Sequence, residues 1–205
     1  RVVAARSGGK TTTKVPVPFV VVRGEGVWPI FLGAAWADRA QCEEHFAGWH
    51  DSPLTARGRE QALATRAAFE DRGVTFDHVY SSPLGRARCT AELIVGEGCS
   101  IELVDELREW HLGSLEGTSN REMPTQPWGD YPVAFGGESE SELRARMVAA
   151  LFAHAQPQHD CVLAVSHGSA CQEFLRCVTG GGEQPDNGAV LHFGYCDGAF
   201  SLLGW

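Results

Sequence analysis

The chain has 205 residues, 43% of them apolar and 21% charged, with a formal net charge of −9. This composition suits one soluble globular domain, or one domain with a small inserted cap, and excludes a disordered chain; at this length a core forms without disulfide or metal staples. The acidic balance argues against nucleic acid or an anionic membrane as the main partner, although a few arginines can still build a local site for a small anion.

Residues 1–14 carry four cations, no acid and no long apolar core. They do not resemble a signal peptide and are expected to form a flexible tail ahead of one domain over 15–205. Pro18 to Val22 is a short β-branched run expected to be a buried strand, ending at Arg23-Gly24-Glu25-Gly26. Residues 26–50 read as a long loop carrying Trp28, Trp36 and Trp49. A helix is expected from Thr55, a plausible N-cap, to about Asp71, stopping at Gly73. Phe76–Ser81 reads as a second strand, Pro83–Val95 as a second helix closed by Gly96 and Gly98, and Ile101–Val104 as a short strand. Residues 105–137 lack sustained periodicity and are expected to form a cap or lid. Glu138–Ala155 reads as a helix, Cys161–Ser166 as an apolar strand and Gly168–Val178 as a helix. Val190–Tyr195 and Phe200–Leu203 read as closing strands. Alternating strands and helices predict a three-layer α/β/α sandwich with a mostly parallel central sheet.

The seven cysteines are odd in number, irregularly spaced and without a C-x-x-C pair, so reduced thiols in the cytoplasm are expected. Cys42, His45, His50 and Asp51 are metal-ligand types, but their spacing matches no standard zinc pattern. No apolar run reaches the ~20 residues of a membrane span.

Three expected strands end in residues that stand out: Arg23, Ser81-Ser82-Pro83 and Ser166-His167-Gly168. Ligands of open α/β sheets bind beyond the carboxyl ends of the strands. A helix opening with Gly168 and Ser169 leaves backbone N–H groups for an anion, and guanidinium forks at Arg23 and Arg86 match phosphate oxygens. Together these residues describe a phosphate pocket. The bland alternative for each residue taken alone is a surface arginine or a core histidine. No ligand set converges there, so neither metal nor cofactor is expected.

Ser81-Ser82-Pro83-Leu84-Gly85-Arg86-Ala87-Arg88-Cys89-Thr90-Ala91 resembles the S-S-P-L-x-R-A-x-x-T-A motif of the histidine phosphatase superfamily, which includes the cofactor-dependent phosphoglycerate mutases. Four further segments agree in order: Asp51 to Gly58 with D-x-P-L-T-x-x-G, Leu107 to Gly117 with L-x-E-x-x-x-G-x-x-E-G, Gly137-Glu138-Ser139 with G-E-S, and Val165 to Gly168 with the second histidine motif. The resemblance spans roughly residues 18–204. It implies a phosphohistidine mechanism, in which covalent catalysis splits one displacement into two. Carried over residue by residue, it implies that Arg23 and Arg86 bind phosphate and that His167 stabilises the transferred group, with Gly24, Glu25 and Gly168 lining the phosphate site. Glu109 is implied as the acid/base, which calls for a partly desolvated carboxyl.

The family's first motif is R-H-G-E, but this chain reads Arg23-Gly24-Glu25-Gly26. Restoring one histidine between Arg23 and Gly24 also brings Trp28 into register with a tryptophan frequent in relatives. One explanation is a histidine that the protein contains, for instance in phosphorylated form, and that the sequence as written omits. The other is an inactive relative that still binds phosphoesters. The first is favoured, because the rest of the set is intact. Pro29 falls where many relatives carry an asparagine, and the longer stretch from Arg23 to Asp51 is either a lid or a packed surface loop.

Residues 114–136 are short and hold one arginine, Arg121, beside Glu116, Glu122 and Asp130. That favours a phosphatase over a mutase, acting on a small phosphorylated metabolite. Trp110, Trp128, Tyr131 and Phe135 suggest a leaving group with apolar character. A phosphoprotein phosphatase and a non-catalytic phosphoester binder are the alternatives. The sequence leaves the oligomeric state open, a homodimer being one option.

Overall fold

Val162-Leu163-Ala164-Val165 is an unbroken apolar run, the pattern of a strand covered on both faces. In the computed structural model, which describes residues 28–34 as backbone together with residues 47–119, 128–156, 159–186 and 188–204, this run lies inside a six-stranded sheet. The strands are β1 (Trp28–Ala34), β2 (His78–Ser81), β3 (Glu102–Leu103), β4 (Val162–Ser166), β5 (Val190–Cys196) and β6 (Ala199–Gly204), in the order β3-β2-β4-β1-β5-β6. β3, β2, β4 and β1 run parallel, and β5 and β6 close the sheet antiparallel.

The helices are α1 (Ala56–Glu70), α2 (Gly85–Val95), α3 (Glu140–His154) and α4 (Gly168–Thr179). Strand alternation divides the core in two. Val79, Leu163, Val165 and Val190 face Ala62, Phe69, Ala87 and Ile94 of α1 and α2. Tyr80, Val162, Ala164, Leu191 and Phe193 face Leu143, Met147, Leu151 and Phe174 of α3 and α4. The expected three-layer sandwich is therefore the fold.

Local chemistry explains most element boundaries. Thr55 Oγ1 accepts from Gly58 N at 3.0 Å and caps α1. Ser139 and Glu142 form a capping box at the start of α3, so this helix begins two residues later than the sequence reading placed it. α2 has no side-chain cap of its own; Asp51 supplies one from 34 residues away, accepting from Gly85 N at 2.9 Å. Glu173, 1% exposed, joins α4 to α3 through Arg144 and also pairs with Arg176.

Two expectations need correction. Residues 28–34 were expected within the long loop at 26–50. They form β1 instead, the strand between β4 and β5; in the sequence, Ile30-Phe31-Leu32 is an apolar run of the kind a short strand shows. Pro29 is only the second residue of that strand, where a missing ladder donor costs least. Trp110 was expected beside a leaving group, but it is a core residue, 4% exposed, with Nε1 donating to Glu138 O at 2.7 Å. The expected strand at 18–22, Trp36, Cys42, His45 and Arg121 lie outside the described residues. The described residues of the expected cap form short 3-10 turns at 105–107, 113–115 and 131–135. The six described cysteines are free thiols. Among the described residues no helix is long and apolar enough to cross a membrane.

Candidate active site

β2 and β4 are parallel neighbours, with Ser81 opposite Val165, so the residues that follow each strand emerge side by side. Ser82 follows β2, Arg86 sits in the first turn of α2, and His167 joins β4 to α4 in extended backbone. Arg86 Nε donates to His167 Nδ1 at 3.2 Å, and both residues are 2% exposed. A guanidinium nitrogen cannot accept, so Nδ1 must, and the proton of the neutral ring sits on Nε2, donated to Ser82 Oγ at 2.8 Å. Burial, reinforced by Arg86 and then Arg146, holds the His167 pKa well below the usual histidine range.

The rest of the Arg86 guanidinium is aimed at backbone. Nη1 donates to His50 O at 2.9 Å and Nη2 to Gly48 O at 2.7 Å, while an Asp51 carboxylate oxygen stands 3.9 Å from Nη1. Residues 48–51 are thus a strap across the arginine. Trp49 ties the same strap to the cap, its Nε1 donating to Glu109 O at 2.7 Å.

Glu109 reaches α4 from the cap. Its Oε1 accepts from Ala170 N at 3.1 Å and from Trp110 N at 2.9 Å, and its Oε2 accepts from Ser169 N at 3.2 Å. The Ser169 and Ala170 N–H groups, at the helix start the sequence offered to an anion, are therefore taken by an internal carboxylate, placed where a helix favours negative charge. Glu109 is half-buried. Gly168 packs against Gln184: a Cβ at 168 would stand 2.4 Å from Gln184 Nε2. Burial first and Glu109 second push the Cys171 thiol pKa up.

Arg86, Glu109, His167 and Gly168 thus come together. Arg23, Gly24 and Glu25 lie outside the described residues. Sequence reasoning passed over Ser82 as a histidine partner, Trp49 as a strap residue and Arg146 on α3. Arg146 had a legible signal: it falls three residues after Leu143 and four before Ala150, on the buried flank of α3. Among the described residues no group of three or more His, Cys, Asp or Glu is placed to hold a metal.

A model of the histidine phosphatase superfamily (branch 1) matches residues 35–205. The chain belongs to that superfamily. The match begins later than the resemblance at 18–204 and leaves out Arg23, Gly24 and Glu25. The chain is 40% identical over 153 residues to a probable phosphoglycerate mutase, GpmB, of Escherichia fergusonii, covering 67% of this chain and 68% of that one. Among solved structures, a phosphoglycerate mutase from Bacillus anthracis superposes with a TM-score of 0.77 at 22% identity, covering 88% of this chain and 93% of the other. A phosphoserine phosphatase mutant from Entamoeba histolytica, in complex with phosphoserine, gives 0.70 at 22%, covering 85% and 94%. The two superpositions establish the superfamily's fold for this chain.

Proposed function

We propose that this chain is a metal-independent phosphomonoester hydrolase acting through a phosphohistidine. The observation that carries the reading is the buried pair Arg86 and His167, 3.2 Å apart where two parallel strands end, with the Glu109 carboxylate on the helix that follows. Arg86 and His167 hold the phosphoryl oxygens, His167 through the Nε2–H now given to Ser82. This reading requires a histidine directly after Arg23, which the 205-residue sequence does not contain; that histidine attacks phosphorus, and the bond to the leaving oxygen breaks as Glu109 hands that oxygen a proton. Water then attacks the phosphohistidine and gives its proton to Glu109, and the P–N bond breaks, releasing phosphate and restoring the histidine. Arg23, Gly24 and Glu25 complete the phosphate site in this reading. A relative named for mutase activity and a neighbour bound to phosphoserine both point to small phosphorylated acids as the substrate class. The low arginine content of residues 114–136 favours water as acceptor over a second substrate.

One observation favours the inactive binder. β1 fills the slot beside β4 and ends with Ala34 opposite Ser166. The residues that follow in sequence, Ala35-Trp36-Ala37-Asp38, hold no histidine. For Arg23 to follow the strand beside His167, Pro18–Val22 would have to fill the slot that Trp28–Ala34 fills. Hydrolysis of p-nitrophenyl phosphate in excess chelator separates the two readings. Turnover that His167→Ala lowers about 100-fold or more supports the hydrolase. Phosphate binding without turnover supports the inactive binder.

A further inference from the structure

We propose that Arg146, locked to Glu138, is a positioning residue for Glu109. Arg146 lies on α3 and its side chain is 16% exposed. A guanidinium has five N–H donors in a rigid fork. Here all five find acceptors on two short segments. Nε and Nη2 meet the two oxygens of Glu138, Nη1 donates to Glu106 O and Arg108 O, and Nη2 also donates to Glu109 O. Glu138 extends the lock: its Oε1 accepts from His111 N at 2.9 Å, its backbone N donates to His111 O at 2.9 Å, and its O accepts from Trp110 Nε1 at 2.7 Å.

Residues 106–111 carry no regular helix or strand beyond the turn at 105–107. Such a segment holds a side chain in place only if its backbone carbonyls are pinned from outside. Arg146 pins three of them, on both sides of the Glu109 Cα, and Glu138 pins the next two residues. The consequence appears on another element. The Glu109 carboxylate is presented to Ser169 and Ala170 of α4, residues that make no hydrogen bond to Arg146 or Glu138. The fork is essential to this geometry, because a lysine ammonium cannot span both Glu138 oxygens and three carbonyls.

The kinetic half of the test rests on Glu109 acting as the proton donor proposed above; the spectroscopic half does not. Arg146→Lys and Glu138→Gln are compared with Glu109→Ala. In both variants the Ser169 and Ala170 amide resonances should move toward their positions in Glu109→Ala, while those of Phe174 to Cys177 stay in place. Hydrolysis of an alkyl monoester such as glycerol phosphate, whose leaving group needs a proton, should fall about 10-fold or more, and that of p-nitrophenyl phosphate by less than about 3-fold. Unmoved Ser169 and Ala170 amides, or equal losses on both esters, would overturn the proposal. If the unmodified protein turns over neither ester, the functional reading fails and the amide shifts alone decide the positioning role.

Discussion

The Nε–H of Arg86 donates to Nδ1 of His167 at 3.2 Å, in a place where neither side chain meets solvent. This contact fixes the ring tautomer, leaves the remaining ring proton on Nε2 facing the buried Ser82 hydroxyl, and keeps the histidine neutral beside a permanent positive charge. Arg86 is held in turn by the carbonyls of residues 48 and 50. Truncating it therefore does more than remove a charge. Arg86→Ala leaves those carbonyls and a ring nitrogen without their donor and should lower unfolding free energy by about 2–4 kcal/mol. Arg86→Lys should retain more of the stability but lose most inorganic phosphate affinity. Urea denaturation and calorimetric titration measure the two effects.

Asp51 caps α2 from a distant strap. Asp51→Ala should cost about 1 kcal/mol, and Asp51→Asn, which keeps a capping oxygen, less than half of that. Thermal melts of the two variants check the ranking. Equal losses would mean that the capping bond contributes nothing.

Two motif glycines should behave differently. Gly113 has φ +60°, and a Cβ there would stand 2.0 Å from Phe135 O, a backbone atom that cannot step aside. Gly113→Ala should cost about 3 kcal/mol or more through strain and overpacking. A Cβ at Gly168 meets the far end of the Gln184 side chain, so Gly168→Ala should cost less than about 1 kcal/mol. Adding Gln184→Ala should recover most of that loss in a double-mutant cycle.

Acid should weaken the fold through its buried histidines. Burial lowers the His192 pKa to about 4 and holds that of His167 well below the usual range. The unfolded chain, titrating near 6.5, takes up protons first as pH falls, so the stabilising contribution is complete above about pH 6.5 and is lost below it. For His192 the loss should reach about 2 kcal/mol by pH 5 and level off below pH 4. Urea midpoints between pH 7.5 and 4.5 read the slope, and His192→Asn should flatten it. A midpoint independent of pH would refute the assignment.

Much of this was legible before the structure, because local and global signals agreed. The capping residue Thr55 and the apolar run at 162–165 located α1 and β4 to within two residues, and the helical pattern of 138–155 located α3 as closely, although its cap Ser139 was read as part of the helix. Arg86, Glu109 and His167 were legible because each sits in a motif beside a strand end or turn. β1 was hidden because Pro29 and Gly33 shorten its apolar run to Ile30-Phe31-Leu32. The straps were hidden for another reason. Bonds such as Arg146 to Glu109 O or Asp51 to Gly85 N join residues more than 30 positions apart, and no periodicity reports on them.

The most direct test is the intact mass of the native protein before and after brief mixing with p-nitrophenyl phosphate. The account predicts a starting mass greater than that of the 205-residue sequence by one histidine residue, then an acid-labile phosphoryl adduct that Glu109→Ala accumulates. A mass equal to that of the sequence, with no adduct at any time, would contradict it and leave a phosphoester-binding relative without a nucleophile.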